Sequence, residues 1–267
     1  MKVAGGLAAS LSGRPVACRL RLPLPTLLCL LPSLGIVLVA VARDARDVIN
    51  DRLDMDARTA LTELRLSDSN ITSISSQAFI EFPNLEWLEL ANNRIDTIAH
   101  DAFHGLSWLE LVELQLNRLT VIEKGVFAGL PKLHLLFLNS NQIQRVEPGA
   151  FDGLSSLATL EMDYNQMETI TAGVFNGLVS AVVLRLGHNQ VQVIEAGAFA
   201  GMSSLSTMYL QYNRIHSIQD DAFSGLPGLA RLVLTGNPIC RSPAVMQATP
   251  SELSRWWGLM DGVRVEC

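Results

Sequence analysis

The residue types that most often carry out enzyme chemistry are not arranged for it in this 267-residue chain. Its histidines have no spacing typical of metal ligands, although His100 and His104 are close together on a predicted turn. The sequence also lacks the nucleophile motif G-x-S-x-G, the zinc motif H-E-x-x-H and a phosphate-binding loop. We therefore expect that the protein is not an enzyme and that it uses no cofactor.

Carboxylates are the second group that could do chemistry. Glu89, Glu113 and Glu161 are separated by 24 or 48 residues, which would bring them close together if a repeat placed them on nearby strands. Carboxylate oxygens bind Ca²⁺, but the sequence has no EF-hand loop, and side chains on a flat sheet do not form a cage. We expect no metal site and interpret these residues as part of a binding surface.

The 24-residue interval extends over most of the chain. Seven consecutive segments, and an eighth that ends after Asn237, follow the pattern L-x-x-L-x-L-x-x-N-x-I-x-x-I-x-x-x-A-F-x-G-L-x-x without a gap. Apolar residues at positions one, four and six alternate as in a short strand with one buried face. Neighbouring repeats must stack to bury that face, so we predict eight parallel strands. The segments begin at Leu61, Leu85, Leu109, Leu133, Leu157, Ala181, Leu205 and Leu229.

Three further columns have structural roles. The asparagine at position nine can satisfy backbone groups where the chain turns inward, and the phenylalanine at position nineteen predicts a stack of rings. Glycine at position 21 allows the return turn. The asparagines are Asn93, Asn117, Asn141, Asn165, Asn189, Asn213 and Asn237, and the rings are Phe79, Phe103, Phe127, Phe151, Phe175, Phe199 and Phe223.

This pattern resembles the leucine-rich repeat family in its 24-residue extracellular form, over residues 61–267. The resemblance implies an α/β-type repeat solenoid, a curved horseshoe with a parallel sheet on its concave face. The convex side is expected to be mostly irregular or to carry short helices. It also implies that the protein binds other molecules, in adhesion, receptor or immune recognition. The repeats occupy 61–237, with seven full copies and one partial copy.

Residues 238–267 are predicted to be a C-terminal cap. Thr249, Pro250 and Glu252 have the spacing of a helix-capping box. The apolar residues that follow at helical spacing predict a lid over the end of the core. They are Leu253, Trp256, Trp257 and Met260.

Two cysteines, Cys240 and Cys267, flank this segment. We interpret them as a disulfide, and two reduced thiols remain the alternative if the protein is cytosolic. The module resembles the C-terminal flanking module of the family, which usually has four cysteines.

Two segments precede the repeats. Residues 1–42 contain no acidic residue and combine basic positions with an apolar run, which is typical of a cleaved signal peptide. An uncleaved signal anchor and an organellar transit peptide are the alternatives. Residues 43–60 are highly charged and predict either a short amphipathic cap or a disordered lead-in. The sequence Asn70-Ile71-Thr72 is a glycosylation sequon.

The predicted binding surface is the concave face, which we define as the outward side chains at template positions three, five and eight. Trp87, Leu111, Leu135 and Phe137 should lie side by side there, and an apolar centre with a charged rim is typical of a protein-binding hot spot. Strand propensity alone could also explain these residues. The full set of candidates is Trp87, Glu89, Leu111, Glu113, Leu116, Leu135, Phe137, Glu161, Tyr164, Arg185, Tyr209 and Tyr212.

The function we predict is therefore recognition of a protein ligand by a secreted or surface-displayed module. Repulsion among the glutamates favours a ligand with basic and apolar patches. The net charge of −6 argues against nucleic acid and anionic membrane surfaces; contact with a membrane would occur only through an uncleaved anchor. A structural or extracellular-matrix spacer without a concave-face ligand is the alternative.

Overall fold

The structure is a computed structural model that describes residues 43–52, 58–259 and 262–267. The predicted leader, 1–42, lies outside these residues, as do Leu53, Met55 and Met260. The first elements are β1 (Arg43–Asp44), α1 (Ala45–Arg52), β2 (Glu63–Arg65), β3 (Ile71–Ile74), β4 (Trp87–Glu89), β5 (Thr97–Ile98), β6 (Leu111–Glu113), β7 (Val121–Ile122), β8 (Leu135–Phe137) and β9 (Arg145–Val146). They are followed by β10 (Thr159–Glu161), β11 (Thr169–Ile170), β12 (Val183–Arg185), β13 (Val193–Ile194), β14 (Thr207–Tyr209), β15 (Ser217–Ile218), β16 (Arg231–Val233), a 3-10 turn (Pro238–Arg241), α2 (Pro243–Gln247), α3 (Pro250–Trp257) and β17 (Arg264–Glu266).

The main sheet is parallel and contains nine strands in the order β17-β16-β14-β12-β10-β8-β6-β4-β2. Each of the first seven repeat strands pairs with the next at an offset of 24 residues, as Trp87 does with Leu111. The central residue of every repeat strand is buried, and in the first seven strands its two neighbours face outward, as the alternating pattern predicts. In β16 Val233 is buried as well. The predicted strand number of eight was one too low, because the C-terminal tail adds β17 alongside β16. The tail lies outside the repeat, so the template could not indicate this strand.

The asparagine column satisfies the backbone where the chain leaves each strand. The Nδ2 group of Asn165 donates to the carbonyl oxygens of Leu138 and Met162 at 3.0 and 3.1 Å. Its Oδ1 atom accepts from the amide of Ile143 at 2.9 Å. One side chain therefore joins two repeats, and the predicted role of the column is confirmed.

The predicted phenylalanine stack runs behind the sheet. All seven rings are almost completely buried, and neighbouring centroids are 5.5 to 6.3 Å apart. Trp257 meets the last ring, Phe223, edge-on at 6.5 Å and ends the stack. These contacts connect the cap to the same core that the repeats share.

The convex side consists mainly of turns, as predicted, joined by short parallel strands rather than by short helices. These strands form three small sheets, β1-β3-β5, β7-β9 and β11-β13-β15. Gly177 shows why the return turn needs glycine. Its φ is +95°, and a Cβ there would lie 2.5 Å from the carbonyl oxygen of Phe151.

The N-terminal segment forms a cap over residues 43–52, which favours the first of its two predicted states. β1 pairs with β3, and α1 buries Ala45, Val48 and Ile49 against the first repeat. The carboxylate of Asp44 accepts hydrogen bonds from the hydroxyls of Ser73 and Ser75. Apolar burial and hydrogen bonds together close this end of the core.

The C-terminal end is closed by α3. The predicted capping box is confirmed, because the Thr249 side chain accepts from the amide of Glu252 and the Glu252 carboxylate accepts from the amide of Thr249. Trp257 is buried, but Trp256 is 38% exposed, so only one of the two tryptophans is part of the lid. The sulfur atoms of Cys240 and Cys267 are at bonding distance and join the 3-10 turn to the chain end next to β17.

Candidate functional site

The outward side chains of the main sheet form the candidate binding surface. Short strands of three residues bury their middle residue, so positions three and five both point away from the core. Because the register advances by 24 residues per strand, equivalent positions of successive repeats become direct neighbours.

An apolar patch lies on the N-terminal half of this face; we define it as Trp87, Leu111, Leu135 and Phe137. Trp87 pairs with Leu111, and Leu111 pairs with Leu135, on β4, β6 and β8. Phe137 lies beside Glu113 in the same register. The structure therefore brings the four predicted residues together, and each side chain is half-buried rather than fully exposed.

Arginines already neutralise part of the acidic rim. Arg65 lies 3.6 Å from the carboxylate of Glu89, and its guanidinium carbon is 4.6 Å from the ring centroid of Trp87. Arg185 lies 3.3 Å from the carboxylate of Glu161. The expected repulsion among three glutamates is thus largely relieved within the chain.

Glu113 differs from these two glutamates. In the described part of the chain its carboxylate accepts from the side-chain amide of Gln115 at 2.9 Å and has no cation within 4.0 Å. Glu113 lies next to Phe137, at the edge of the apolar patch. It is therefore the carboxylate of this surface that is best placed to meet a cation from outside.

The C-terminal half of the face is an ionic network, which we define as Glu161, Arg185, Tyr209, Arg231, Arg264 and Glu266. The guanidinium carbon of Arg185 lies 4.4 Å from the Tyr209 ring centroid, and that of Arg231 lies 5.5 Å from it. Arg231 also donates to both carboxylate oxygens of Glu266 at 2.9 and 3.0 Å. Most members of this set satisfy one another.

This network affects the ionisation of its members. The hydrogen bonds from Arg231 lower the pKa of Glu266 and in turn raise the pKa of Arg231. Sequence reasoning named Arg185 and Tyr209 but missed Glu266. It lies in the unpredicted strand β17, so no repeat column contained it.

A third feature is the column of residues at template position eight, just after each strand, which we call the strand-exit column. All eight members have a left-handed backbone, with φ from 53° to 83°. This conformation is uncommon outside glycine and is unfavourable by about 1–3 kcal/mol per residue. The members are Asp68, Asn92, Leu116, Ser140, Tyr164, His188, Tyr212 and Gly236.

Three rings of the strand-exit column stack on one another. The ring centroids of Tyr164 and His188 are 4.2 Å apart, and those of His188 and Tyr212 are 4.7 Å apart. Tyr212 also covers Gly236, since a Cβ on this glycine would lie 2.6 Å from the ring. The alignment of the repeats placed these residues in one column, but it did not indicate the left-handed backbone or the stacking of His188.

The strand-exit column contains the most exposed apolar residues of the candidate surface. Leu116 is 53% exposed, and Tyr164 and Tyr212 are each 56% exposed. The predicted apolar centre therefore continues beyond the sheet to the strand exits.

Next to Tyr164, burial raises the pKa of Asp163, while a hydrogen bond from the amide of Gly187 partly opposes the rise.

The described residues contain no group of three His, Cys, Asp or Glu side chains that could hold a metal ion. Within those same ranges, no helix combines the length and the apolar character needed to cross a membrane. Asn70 of the sequon is exposed, with a φ of 57°. Its glycosylation stays a prediction.

Two solved structures with similar architecture are the TLR13–ssRNA13 complex and the Toll–Spatzle complex. TLR13, in its complex with ssRNA13, matches over 73% of this chain with 24% identity and a TM-score of 0.66. Drosophila Toll, in its complex with Spatzle, matches over 69% with 22% identity and a TM-score of 0.62. The chain spans 27% and 26% of the length of these proteins, and at such identities the likeness establishes the fold alone.

Sequence comparison identifies the family. A search of curated protein sequences finds no match. The family model described as "Leucine rich repeat" matches residues 59–117, 107–167, 131–191 and 179–239, which together cover more than half of the chain. The predicted resemblance is confirmed, and the chain belongs to the leucine-rich repeat family.

Proposed function

We propose that the protein is a recognition module that binds a protein ligand through the concave face of its main sheet. The observation that carries this proposal is the apolar patch, in which the strand register places Trp87, Leu111 and Leu135 side by side. A contiguous apolar group on a folded surface is unfavourable in water and favours a partner. Within the described residues no layer covers the outward side chains of the large parallel sheet, which therefore also offers a wide contact area.

The partner we propose carries basic and apolar patches. The apolar patch supports the second property, and the uncompensated carboxylate of Glu113 supports the first. Charge complementarity of this kind accelerates association and selects among partners.

The two similar receptors bind different classes of ligand, since TLR13 is complexed with ssRNA and Toll with Spatzle. For this chain we favour a protein over a nucleic acid. Its net charge is −6, and binding to a phosphate backbone depends on clustered Lys and Arg. The arginines of the ionic network already pair with carboxylates, so they are less available to bind phosphate groups.

The proposal includes secretion or display at the cell surface, with residues 1–42 as the signal, and no enzymatic activity. The basic and apolar composition of the leader and the cysteine pair of the cap support export. Intact mass of the product secreted from a eukaryotic host, before and after reduction, tests it. The expected result is the mass of a chain that begins at Arg43, with an increase of two hydrogen atoms on reduction. A cytosolic product with free thiols contradicts the proposed export.

The binding proposal can be tested by screening the secreted protein against purified secreted and cell-surface proteins, with a single-stranded RNA in parallel. The test variant is Leu111→Thr with Leu135→Thr, because threonine already occupies this column at Thr159 and Thr207. Truncating residues at the centre of a contact should weaken binding by about tenfold or more.

Trp108→Ala is the matched control, since this residue is 49% exposed and lies outside the concave face. The proposal requires that the control bind as the wild type does while the double variant loses affinity. Equal affinity of both variants contradicts it, and preference for RNA contradicts the protein ligand. Failure of every partner to bind favours the alternative of a spacer.

A further inference from the structure

The strand-exit column has one gap, at Ser140. Several neighbouring members of this column are in contact. Asn92 donates a hydrogen bond to Asp68, and Tyr164, His188 and Tyr212 stack in sequence. Ser140 shares the left-handed backbone of its neighbours, with a φ of 56°, but its side chain is too short to reach either of them.

The spacing of parallel strands predicts that the gap has the dimensions of one planar group. Leu116 and Tyr164 belong to repeats two strands apart, and parallel strands are spaced at about 4.8 Å, so these residues are separated by about 9.5 Å. Planar groups contact apolar atoms at about 3.5–4.0 Å on each face. The stack itself uses centroid distances of 4.2 and 4.7 Å, so a guest over Ser140 would continue it at the same interval.

The walls of this gap are available for contact. Leu116 is 53% exposed and Tyr164 is 56% exposed, and each has its long side chain next to the short one of Ser140. We call this space the Ser140 slot, bounded by Leu116 and Tyr164.

Charge distinguishes among planar guests. The strand β6, on one side of the Ser140 slot, carries Glu113 on the outward face. In the described residues the Glu113 carboxylate is bound only by an amide, so a cation would stabilise it. A flat cation therefore suits the slot better than a neutral ring.

The protein already uses the same contact elsewhere. The guanidinium of Arg65 lies 4.6 Å from the ring centroid of Trp87, and that of Arg185 lies 4.4 Å from the ring centroid of Tyr209. Each of these arginines also pairs with a glutamate on a neighbouring strand. A guanidinium stacks on aromatic faces and pairs with carboxylates, which an ammonium does less well.

We propose that the Ser140 slot takes a single arginine side chain of the protein ligand, stacked between Leu116 and Tyr164 and paired with Glu113. This proposal deepens the proposed function and rests on it. It predicts that the ligand contains an exposed arginine whose replacement by lysine weakens the complex.

The direct test uses N-acetyl-arginine amide as the probe, with the lysine and phenylalanine analogues alongside. Binding is followed by the NMR amide shifts of Ser140 and Tyr164 in the full chain. The arginine probe should bind with an affinity at least about fivefold higher than the lysine probe, the factor expected for one exposed cation–π contact. An equal or higher affinity for the lysine or phenylalanine probe, taken from the concentration dependence of the shifts, overturns the proposal.

Substitution of Ser140 provides the matched variants. Ser140→Tyr fills the slot with a ring that the column already accepts and should abolish arginine binding, whereas Ser140→Gly should preserve it. Gln77→Tyr is the control for a tyrosine on a left-handed backbone, because Gln77 is exposed, has a φ of 53° and lies on the convex side. Glu113→Gln should lower the affinity about fivefold, the effect of one partly exposed charged hydrogen bond.

The slot and the proposed function can fail separately. If Ser140→Tyr leaves arginine binding intact, the slot is wrong, even where the apolar patch still binds a protein. If the arginine probe binds at Ser140 but the apolar-patch variants change no protein interaction, the slot stands and the proposed function fails.

Discussion

The two halves of the concave face share one parallel sheet but differ in the side chains that they present and in how those side chains pair. On β4, β6 and β8 the outward residues are mostly apolar, and the carboxylate of Glu113 has no cation in the described structure. From β10 to β17 the outward residues include arginines, glutamates and a tyrosine that pair with one another.

This difference teaches that partners within the chain, rather than residue type, decide which surface remains available. Arginine and glutamate would usually be counted as binding residues. In the ionic network, however, many of their hydrogen-bonding groups already bond to one another. The apolar patch cannot be satisfied in this way, because aliphatic side chains gain only by leaving water.

Phe151→Ala should have the largest effect on stability, because the phenylalanine stack lies behind both halves of the concave face. The ring is fully buried between Phe127 and Phe175, and its loss should lower the free energy of unfolding by about 3–5 kcal/mol. Urea denaturation measures this change. A loss below about 1 kcal/mol would contradict the role of the stack in the core.

Replacing both Cys240 and Cys267 with serine should have the next largest effect and should act on the C-terminal half alone. The bond closes a loop with a sequence separation of 27, and a loop of that size contributes about 3.5 kcal/mol in the chain-entropy estimate. Hydrogen exchange should accelerate at β17, where the amide of Leu234 donates to the carbonyl of Glu266. Exchange at β6 serves as the control and should not change.

Phe137→Ala should have a small effect on stability. The ring is half-buried on the outward face, so we expect a loss below about 1 kcal/mol, together with weaker ligand binding. Comparison with Phe151→Ala in the same denaturation series sharpens the contrast between a core ring and a surface ring. A loss as large as that of Phe151→Ala would show that Phe137 belongs to the core.

Acidification should produce the smallest effect on stability, and its effect should have opposite signs at two carboxylates, Glu266 and Asp163. The pKa of Glu266 is lowered in the fold, so its stabilising contribution is present above the ordinary value of 4.5 and is lost as pH falls through its folded pKa. The pKa of Asp163 is raised, so its charge opposes folding at neutral pH and acid removes that penalty. Protection factors at β17, corrected for the pH dependence of intrinsic amide exchange, should therefore decrease below about pH 4.5, and Glu266→Gln should abolish this dependence.

The repeat pattern predicted most of the fold because each column has one physical role in every copy. Asn165 bonds to backbone carbonyls where the chain leaves β8 and β10, as the asparagine column predicts, and Phe151 stacks on rings 24 residues away on either side. The capping box at Thr249 was equally local, since it involves residues only three positions apart. Features that repeat or that span one helical turn could be predicted from sequence alone.

The candidate site was predicted only in part. The apolar patch followed from the register, but the ion pairs did not, because Arg231 and Glu266 are 35 residues apart and one of them lies outside the repeat. Likewise, nothing in the residue types of Leu116, Tyr164 and His188 indicates a left-handed backbone. These properties depend on neighbours that the pattern does not specify.

The sequence by itself therefore determined the solenoid, the buried columns and the outward position of the candidate residues, because burial of a periodic apolar face has one solution for a 24-residue repeat. Only the tertiary structure decided the ninth strand, the internal pairing of the arginines and the stack of strand-exit rings that stops at Ser140. Those contacts depend on distances across strands and on backbone conformation after the strand, and both are set when the repeats pack together.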